Sequence, residues 1–142
     1  MTQKSRVLCL MMVLALCPAQ AAQGQLITDA QWRNSTNAGT PEIVSEGLHV
    51  GDPVFVDRIN VNNRTTRFAV VPEFLVGVEY VMLANNDRST TNFELDITLA
   101  RSATLYLFID NRVGDNTPDN PPTLGGSIMQ WVVNMGFTTA YE

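Results

Sequence analysis

The clearest pattern in the chain is a strict alternation of apolar and polar residues over positions 93–99, which read FELDITL. A period of two is expected of a strand with one buried side and one side facing solvent. After a short turn, positions 104–110 are apolar on both sides, as an inner strand is. The two segments predict neighbouring antiparallel strands, and the second ends at Asp110 and opens into a polar loop.

Shorter apolar segments precede this pair of strands. They lie at positions 43–44, 54–56, 58–61, 67–71 and 79–84, with Gly, Pro, Asn or Asp between them. Strands of roughly five residues with turn signals every eight to twelve are typical of sandwiches and jelly rolls. The sequence therefore predicts an all-β fold, an antiparallel β-sandwich or jelly roll of roughly seven to nine strands.

One segment near the C-terminus has the period of a helix instead. Between positions 128 and 135 the apolar residues follow the i, i+3, i+4, i+7 spacing of a single helical face, and they are Ile128, Trp131, Val132 and Met135. A capping-box pattern at 127–130 precedes this face, and Gly136 stands where a helix would end. The spacing predicts one short helix of about two turns.

Positions 1–21 have the three parts of a secretory signal peptide. Lys4 and Arg6 give a basic start, positions 7–16 are apolar, and positions 19–21, Ala-Gln-Ala, form a small-x-small cleavage site. We therefore predict a secreted protein, in the periplasm or at the cell surface, that has no membrane contact after cleavage. The remaining chain divides into a polar leader at 22–40 and a β-sandwich domain at 41–142.

Cleavage would also change the charge and the cysteine content. Both cysteines, Cys9 and Cys17, would leave with the signal peptide, so no disulfide or thiolate site would remain. Of the nine basic residues Lys4 and Arg6 would be lost, which leaves seven arginines against 14 acidic residues, a formal net charge of −7. A lysine-free acidic surface is a poor partner for nucleic acid or an anionic membrane.

The loop after position 109 is rich in the hard oxygen donors that calcium prefers. Its candidate calcium ligands are Asp110, Asn111, Asp115, Asn116, Asp119 and Asn120. Their spacing does not follow the EF-hand pattern. Asp and Asn side chains also cap the backbone of ordinary turns, so turn formation is the alternative to calcium binding.

The same loop offers candidate ligand-binding residues. Arg112 stands near Asp110 and can bind a carboxylate or a sugar hydroxyl, and Tyr106 and Trp131 can stack on a sugar ring. The alternative is structural: Arg112 pairs with Asp87, and Trp131 belongs to the core.

Catalysis finds less support in the sequence. Glu94 and Asp96 share one side of a predicted strand, roughly 7 Å apart, a separation compatible with glycoside hydrolysis. Acidic residues alternate in the same way on ordinary solvated strands. His49 is the only histidine, it lies in a turn-rich stretch, and no G-x-S-x-G nucleophile motif occurs. A surface turn is therefore expected for His49.

Several of these segments together resemble a known class of domain. They read GVEYV at 77–81, ANNDR at 84–88, LDITL at 95–99, ATLYL at 103–107, DNRV at 110–113 and GFT at 136–138, with Trp131 before the last. The series is similar to galactose-binding-like β-sandwich modules of secreted bacterial surface or polysaccharide-associated proteins. The resemblance implies a non-catalytic accessory role. It also implies further strands after Phe137, so the domain is expected to be truncated at the C-terminus.

The sequence thus favours a secreted non-catalytic accessory module that binds glycan or supports an attached enzyme. Its expected partners are polysaccharide and a fused or neighbouring domain. A purely structural extracellular domain without a ligand is the alternative, and a glycan-active enzyme is the third hypothesis.

Overall fold

The computed structural model describes residues 3–6, 13–17, 24–60, 65–110, 112–113, 119, 122–126 and 128–140. Contacts divide the chain into two compact units, Met1–Phe108 and Ile109–Glu142. The first unit contains the strands β1 (Gln3–Arg6), β2 (Val13–Cys17), β3 (Ile27–Arg33), β4 (Glu42–Val44), β5 (Glu79–Met82), β6 (Glu94–Leu99) and β7 (Thr104–Phe108). The second contains the helix α1 (Gln130–Asn134).

The strands form two antiparallel sheets. One has the order β1-β6-β3 and the other the order β4-β5-β2-β7. Short 3₁₀ helices at Val56–Arg58, Glu73–Leu75 and Asn85–Ser89 connect some of the strands. The prediction of a β-rich antiparallel protein with one short α-helix is confirmed for the described residues.

A hydrophobic cluster in the first unit is built around β5 and the loops that flank it. The buried residues of this cluster are Leu48, Phe68, Val71, Leu75, Val78, Tyr80 and Met82. Phe68 packs edge-on against Tyr80, with ring centres 6.0 Å apart, and against Phe108 at 5.5 Å. Edge-to-face aromatic pairs add to the gain from burial alone, so these contacts fix the position of β7 relative to β5.

Strand β3 spans seven residues within the segment predicted to be a polar leader. Its polar residues gave no alternating pattern, and the structure supplies the reason. The pairing with β6 shifts register between Ile27 and Asp29, and a shift of this kind breaks the period of two.

The predicted strands at 54–56 and 67–71 are wrong as regular strands. The two segments do run side by side, because Val54 donates to the Thr66 carbonyl at 3.0 Å and Phe68 donates to that of Asp52 at 3.0 Å. The ladder is limited to an isolated bridge between Pro53 and Arg67. Proline has no backbone donor and cannot continue a ladder.

Strands β1 and β2 lie within the predicted signal peptide. In the whole chain β1 pairs with β6, and β2 pairs with both β5 and β7. A signal peptide at 1–21 would instead lie outside the fold of the mature protein. Cleavage after Ala21 remains a prediction.

Helix α1 ends at the predicted glycine. Gly136 has φ of 86° and donates to the Val133 carbonyl at 2.9 Å, and Phe137 donates to that of Val132 at 3.2 Å. This pair of bonds is a Schellman motif. The helix is shorter than predicted, and Val132 is its buried residue. Met129, which precedes the helix, is also buried, whereas Ile128 is exposed. The strand predicted after Phe137 is not formed over residues 137–140.

Candidate functional site

Asp110 and Arg112 form a closed ion pair at the start of the predicted ligand loop. The Arg112 Nε donates to Asp110 Oδ1 at 2.9 Å, and Nη2 donates to Oδ2 at 2.5 Å. The Arg112 backbone N–H also donates to Oδ1, at 2.8 Å. Because Val113 donates to the Asp110 carbonyl at 3.1 Å, residues 110–113 form a turn closed by both side chain and backbone.

The ion pair stabilises the charged form of both groups. Hydrogen bonds from the Arg112 side chain lower the pKa of the Asp110 carboxyl, although partial burial opposes the effect. The same bonds raise the pKa of the Arg112 guanidinium. Asp110 is the more buried partner, and the arginine side chain is about half exposed. The ion pair that closes this turn joins Arg112 to Asp110.

The calcium hypothesis rests on residues that fall mostly outside the described part. Asn111, Asp115, Asn116 and Asn120 lie outside it, and Asp119 is an exposed turn residue. Both Asp110 oxygens accept bonds from Arg112, so a cation at this carboxylate would have to displace the guanidinium. Within the described ranges, no three His, Cys, Asp or Glu side chains come together as a metal site. Calcium binding stays a prediction.

Trp131 lies in α1, in the same unit as Asp110 and Arg112. Its side chain is half-buried, and its carbonyl accepts the Met135 N–H at 3.0 Å in the last turn of the helix. A half-buried side chain is neither fully enclosed in a core nor fully exposed for stacking on a sugar. Its role as a sugar-stacking residue remains a prediction.

Tyr106 lies on β7 in the other unit, where it contacts an aromatic residue that sequence reasoning missed. The rings of Tyr106 and Phe74 are 5.4 Å apart and tilted by 52°. Phe74 is 44 % exposed, whereas its neighbour Leu75 is buried at 3 %. The 3₁₀ helix Glu73–Leu75, which follows Pro72, turns consecutive side chains in different directions.

Three carboxylates that were not predicted as site residues bind the backbone of distant segments. Glu79 accepts the N–H groups of Leu26 and Ile27 at 2.7 and 2.9 Å. Asp57 accepts the N–H groups of residues 85 and 86 at 2.7 and 3.0 Å. Buried Asp87 accepts from the Ser35 hydroxyl and from both the N–H and hydroxyl of residue 36. These contacts span 28 to 53 positions, so no local motif could reveal them.

The acidic pair considered for catalysis is bridged by one arginine. Arg33 on β3 contacts the carboxylate of Glu94, and its Nη2 lies 2.9 Å from that of Asp96. An arginine is always protonated, so Arg33 places a fixed positive charge between the two acids and cannot itself act as a base. The bridge makes the acidic side of β6 a cross-strand ion cluster.

His49 lies in a turn, as predicted. Its backbone N–H donates to Asp52 Oδ2 at 2.6 Å, and its ring Nδ1 lies 3.0 Å from the Gly47 carbonyl. The side chain is more than half exposed. The contacts of His49 are those of a residue that closes a surface turn.

The sequence matches no known protein family, no curated protein and no solved structure. The described part of the chain also contains no helix that is long and apolar enough to cross a membrane.

Proposed function

We propose that this protein is a secreted, non-catalytic accessory module that binds glycan through the aromatic surface formed by Phe74 and Tyr106. The observation that carries the proposal is the exposure of Phe74, at 44 %, directly against a second aromatic ring. Ligand sites combine aromatic surfaces with a few polar groups, and the C–H faces of sugars pack on such rings. Tyr106 is one of the two residues predicted to stack on a sugar, and Phe74 adds a second ring beside it.

The net charge narrows the class of glycan. The mature chain would carry a formal charge of −7, since seven arginines face 14 acidic residues. Such a surface repels anionic polymers at a distance. A neutral polysaccharide, presented by a cell surface or by the substrate of an attached enzyme, is therefore the ligand class that fits.

The non-catalytic part of the proposal is supported by how six of the 14 acidic residues are used. Acid–base catalysis on a glycosidic bond needs two carboxyl groups that face a substrate and exchange protons. Glu79, Asp57 and Asp87 instead accept backbone N–H groups, whereas Asp110 and the pair on β6 bind arginines. Groups held in this way support structure and are not available to a substrate.

A β-sandwich remains the architecture that we propose for the first unit. Glu79 belongs to the sheet that contains β5, and the N–H groups that it binds are at the start of β3 in the other sheet. A carboxylate shared in this way supports face-to-face packing of the two sheets. The proposed relationship to galactose-binding-like modules rests on this arrangement and on the sequence segments described above.

Sedimentation with insoluble neutral polysaccharides tests the proposed function. Protein mixed with cellulose, chitin or xylan should appear in the pellet for at least one of them. Phe74→Ala should remain in the supernatant, because it removes the more exposed ring. Val70→Ala is the matched control, since Val70 is an exposed apolar residue at 67 % and should not affect binding. Equal sedimentation of the wild type and Phe74→Ala would contradict the proposed site.

A structural surface domain without a ligand is the second candidate function. The observation that favours it is the closed Asp110–Arg112 pair, since both carboxylate oxygens are already used within the turn. Under this hypothesis no polysaccharide would sediment the protein, although it would be folded and exported.

We retain calcium as a proposed ligand of the loop at 111–120. Binding to the folded chain alone would raise the melting temperature, and EDTA would reverse the change. Asp119→Asn should abolish this shift if Asp119 is a ligand. An identical melt with calcium and with EDTA would contradict calcium binding.

A further inference from the structure

Strand β2 occupies a slot between two strands that run parallel to each other. Residues 14–16 pair antiparallel with β5 on one side, and all five residues of the strand pair antiparallel with β7 on the other. Ala15 is the register partner of both Tyr80 and Tyr106, and Leu14 that of both Val81 and Leu107. Because both partners are antiparallel to β2, β5 and β7 are parallel to each other and separated by the width of one strand.

The width of the slot does not depend on β2 alone. Neighbouring strands are about 4.8 Å apart, so β5 and β7 are separated by about 10 Å. Phe108 on β7 packs against Phe68, and Phe68 packs against Tyr80 on β5. Tyr106 on β7 also contacts Phe74. If β2 were absent, β7 could reach β5 only by a shift of about 5 Å that breaks these aromatic contacts.

Strand β2 lies wholly within the predicted signal peptide. Cleavage after Ala21 would remove it and leave the facing backbone groups of β5 and β7 without their ladder partners. Tyr80, Val81 and Met82 of β5 are almost completely buried. Two facing strand edges with unpaired N–H and C=O groups are a template for another strand, so the vacated slot would favour a replacement strand.

We propose that the slot between β5 and β7 of the mature protein binds an extended, uncharged, apolar protein segment of about five residues, antiparallel to both strands. The chemistry of this partner follows from the sequence that occupies the slot in the whole chain, Val-Leu-Ala-Leu-Cys. A neighbouring protein that presents such a segment would be held by main-chain hydrogen bonds on both sides. The inference rests on the proposed secretion, because export is what removes β2.

Binding of a labelled peptide to the full chain tests the slot directly. The peptide has the sequence of residues 12–18 with Cys17→Ser, and its binding is followed by fluorescence anisotropy. In the full-length variant Ala15→Pro, proline removes a ladder donor and displaces β2 from the slot. We expect this variant to bind the peptide at least tenfold more tightly than the wild-type chain, whose slot is filled.

Two controls isolate the strand pairing. A peptide that itself carries Ala15→Pro should not bind. The full-length variant Ser5→Pro disrupts β1 in the other sheet and should bind the peptide no better than the wild type does. Equal binding to Ala15→Pro and wild type, or equal binding of the two peptides, would overturn the proposal.

Exported protein provides an independent test if Ala15→Pro does not fold. Its intact mass shows whether residues 1–21 have been removed, and this result tests secretion separately from the slot. Exported protein without the leader should bind the peptide, and hydrogen exchange at residues 79–82 and 104–108 should slow on binding. If these amides were already protected in the exported monomer without peptide, the proposed partner would be contradicted. Protection of the same amides by dimerisation of the exported protein would also contradict it.

Discussion

The carboxylate of Glu79 contacts two consecutive backbone N–H groups whose residues, Leu26 and Ile27, are both completely buried. Buried N–H groups without an acceptor are strongly destabilising. The Glu79 carboxylate therefore supplies hydrogen-bond acceptors for the backbone N–H groups at the beginning of β3, where the chain becomes buried. Asp57 and Asp87 do the same for the 3₁₀ segment Asn85–Ser89 and for the loop at 35–36.

Substitution of Glu79 tests whether this contact stabilises the fold. Glu79→Gln retains one carbonyl oxygen and replaces the other with a donor, so one of the two N–H groups loses its acceptor. We expect the free energy of unfolding to fall by about 2 kcal/mol, measured by urea denaturation. Glu73→Gln is the control, since Glu73 is exposed and should change the stability by less than about 0.5 kcal/mol. An equal effect of both variants would contradict the proposed role.

The Asp110–Arg112 pair predicts a dependence of stability on pH. The pKa of Asp110 is lowered in the folded chain, so the pair contributes stability above the unfolded pKa of about 3.9. This contribution disappears as the pH falls through the lowered folded pKa. Asp110→Asn should therefore be less stable than the wild type near neutral pH and should approach it in strong acid.

Chemical denaturation at several pH values measures this difference. Asp119→Asn serves as the control, because Asp119 is an exposed turn residue. If the free energies of unfolding of the wild type and Asp110→Asn differed by the same amount from neutral pH to strong acid, the ion pair would not be the cause of the difference.

At this scale the sequence predicts local chemistry better than distant contacts. Asp110 and Arg112 are two positions apart, so their contact could be anticipated. Glu79 lies 53 positions from Leu26, and Phe74 lies 32 positions from Tyr106, so those contacts depend on the tertiary fold.

At the scale of the elements, prediction succeeds where apolar and polar residues alternate along the whole strand. Strand β6 follows its alternating pattern, with Leu95 buried and Thr98 exposed. Strand β3 was underestimated because its register shift breaks the alternation. The stretch at 54–56 was overestimated because apolar residues near Pro53 pack into the core without forming a long ladder.

The turn at Gly47 gives a prediction about backbone approach. Gly47 has φ of 96°, and a Cβ there would lie 2.7 Å from the backbone of Gly77, which donates to the neighbouring Leu48 carbonyl at 2.9 Å. Gly51 has φ of 93°, but a Cβ there would have no atom within 4 Å. The two glycines share a conformation and differ in available space.

Alanine substitution at the two positions separates these effects. Gly51→Ala should lower the free energy of unfolding by about 1 kcal/mol, because alanine disfavours the left-handed conformation at this position. Gly47→Ala should cost at least about 2 kcal/mol more, because the backbone at 77 must move. Thermal and urea denaturation of both variants measure the difference, and equal costs would contradict the close approach of the two segments.

At the scale of the whole molecule, the sequence predicts a β-rich chain with antiparallel sheets and one short helix, and the structure confirms this much. The division between Phe108 and Ile109 was not predicted, since the apolar run at 104–110 crosses it without a change in composition. The pairing of β2 was not predicted either, because an apolar run has the same appearance in a signal peptide and in a buried strand.

The central claim for the whole molecule is that it binds neutral glycan through Phe74 and Tyr106 without catalysing a reaction. A glycan array on the exported protein, with Phe74→Ala and Val70→Ala measured in parallel, tests this claim most directly. We predict binding to a neutral glycan by the wild type and Val70→Ala, loss of at least about 90 % of the signal in Phe74→Ala, and no cleavage of the bound glycan. A blank array with folded wild-type protein, or full binding by Phe74→Ala, would contradict the proposed function and site.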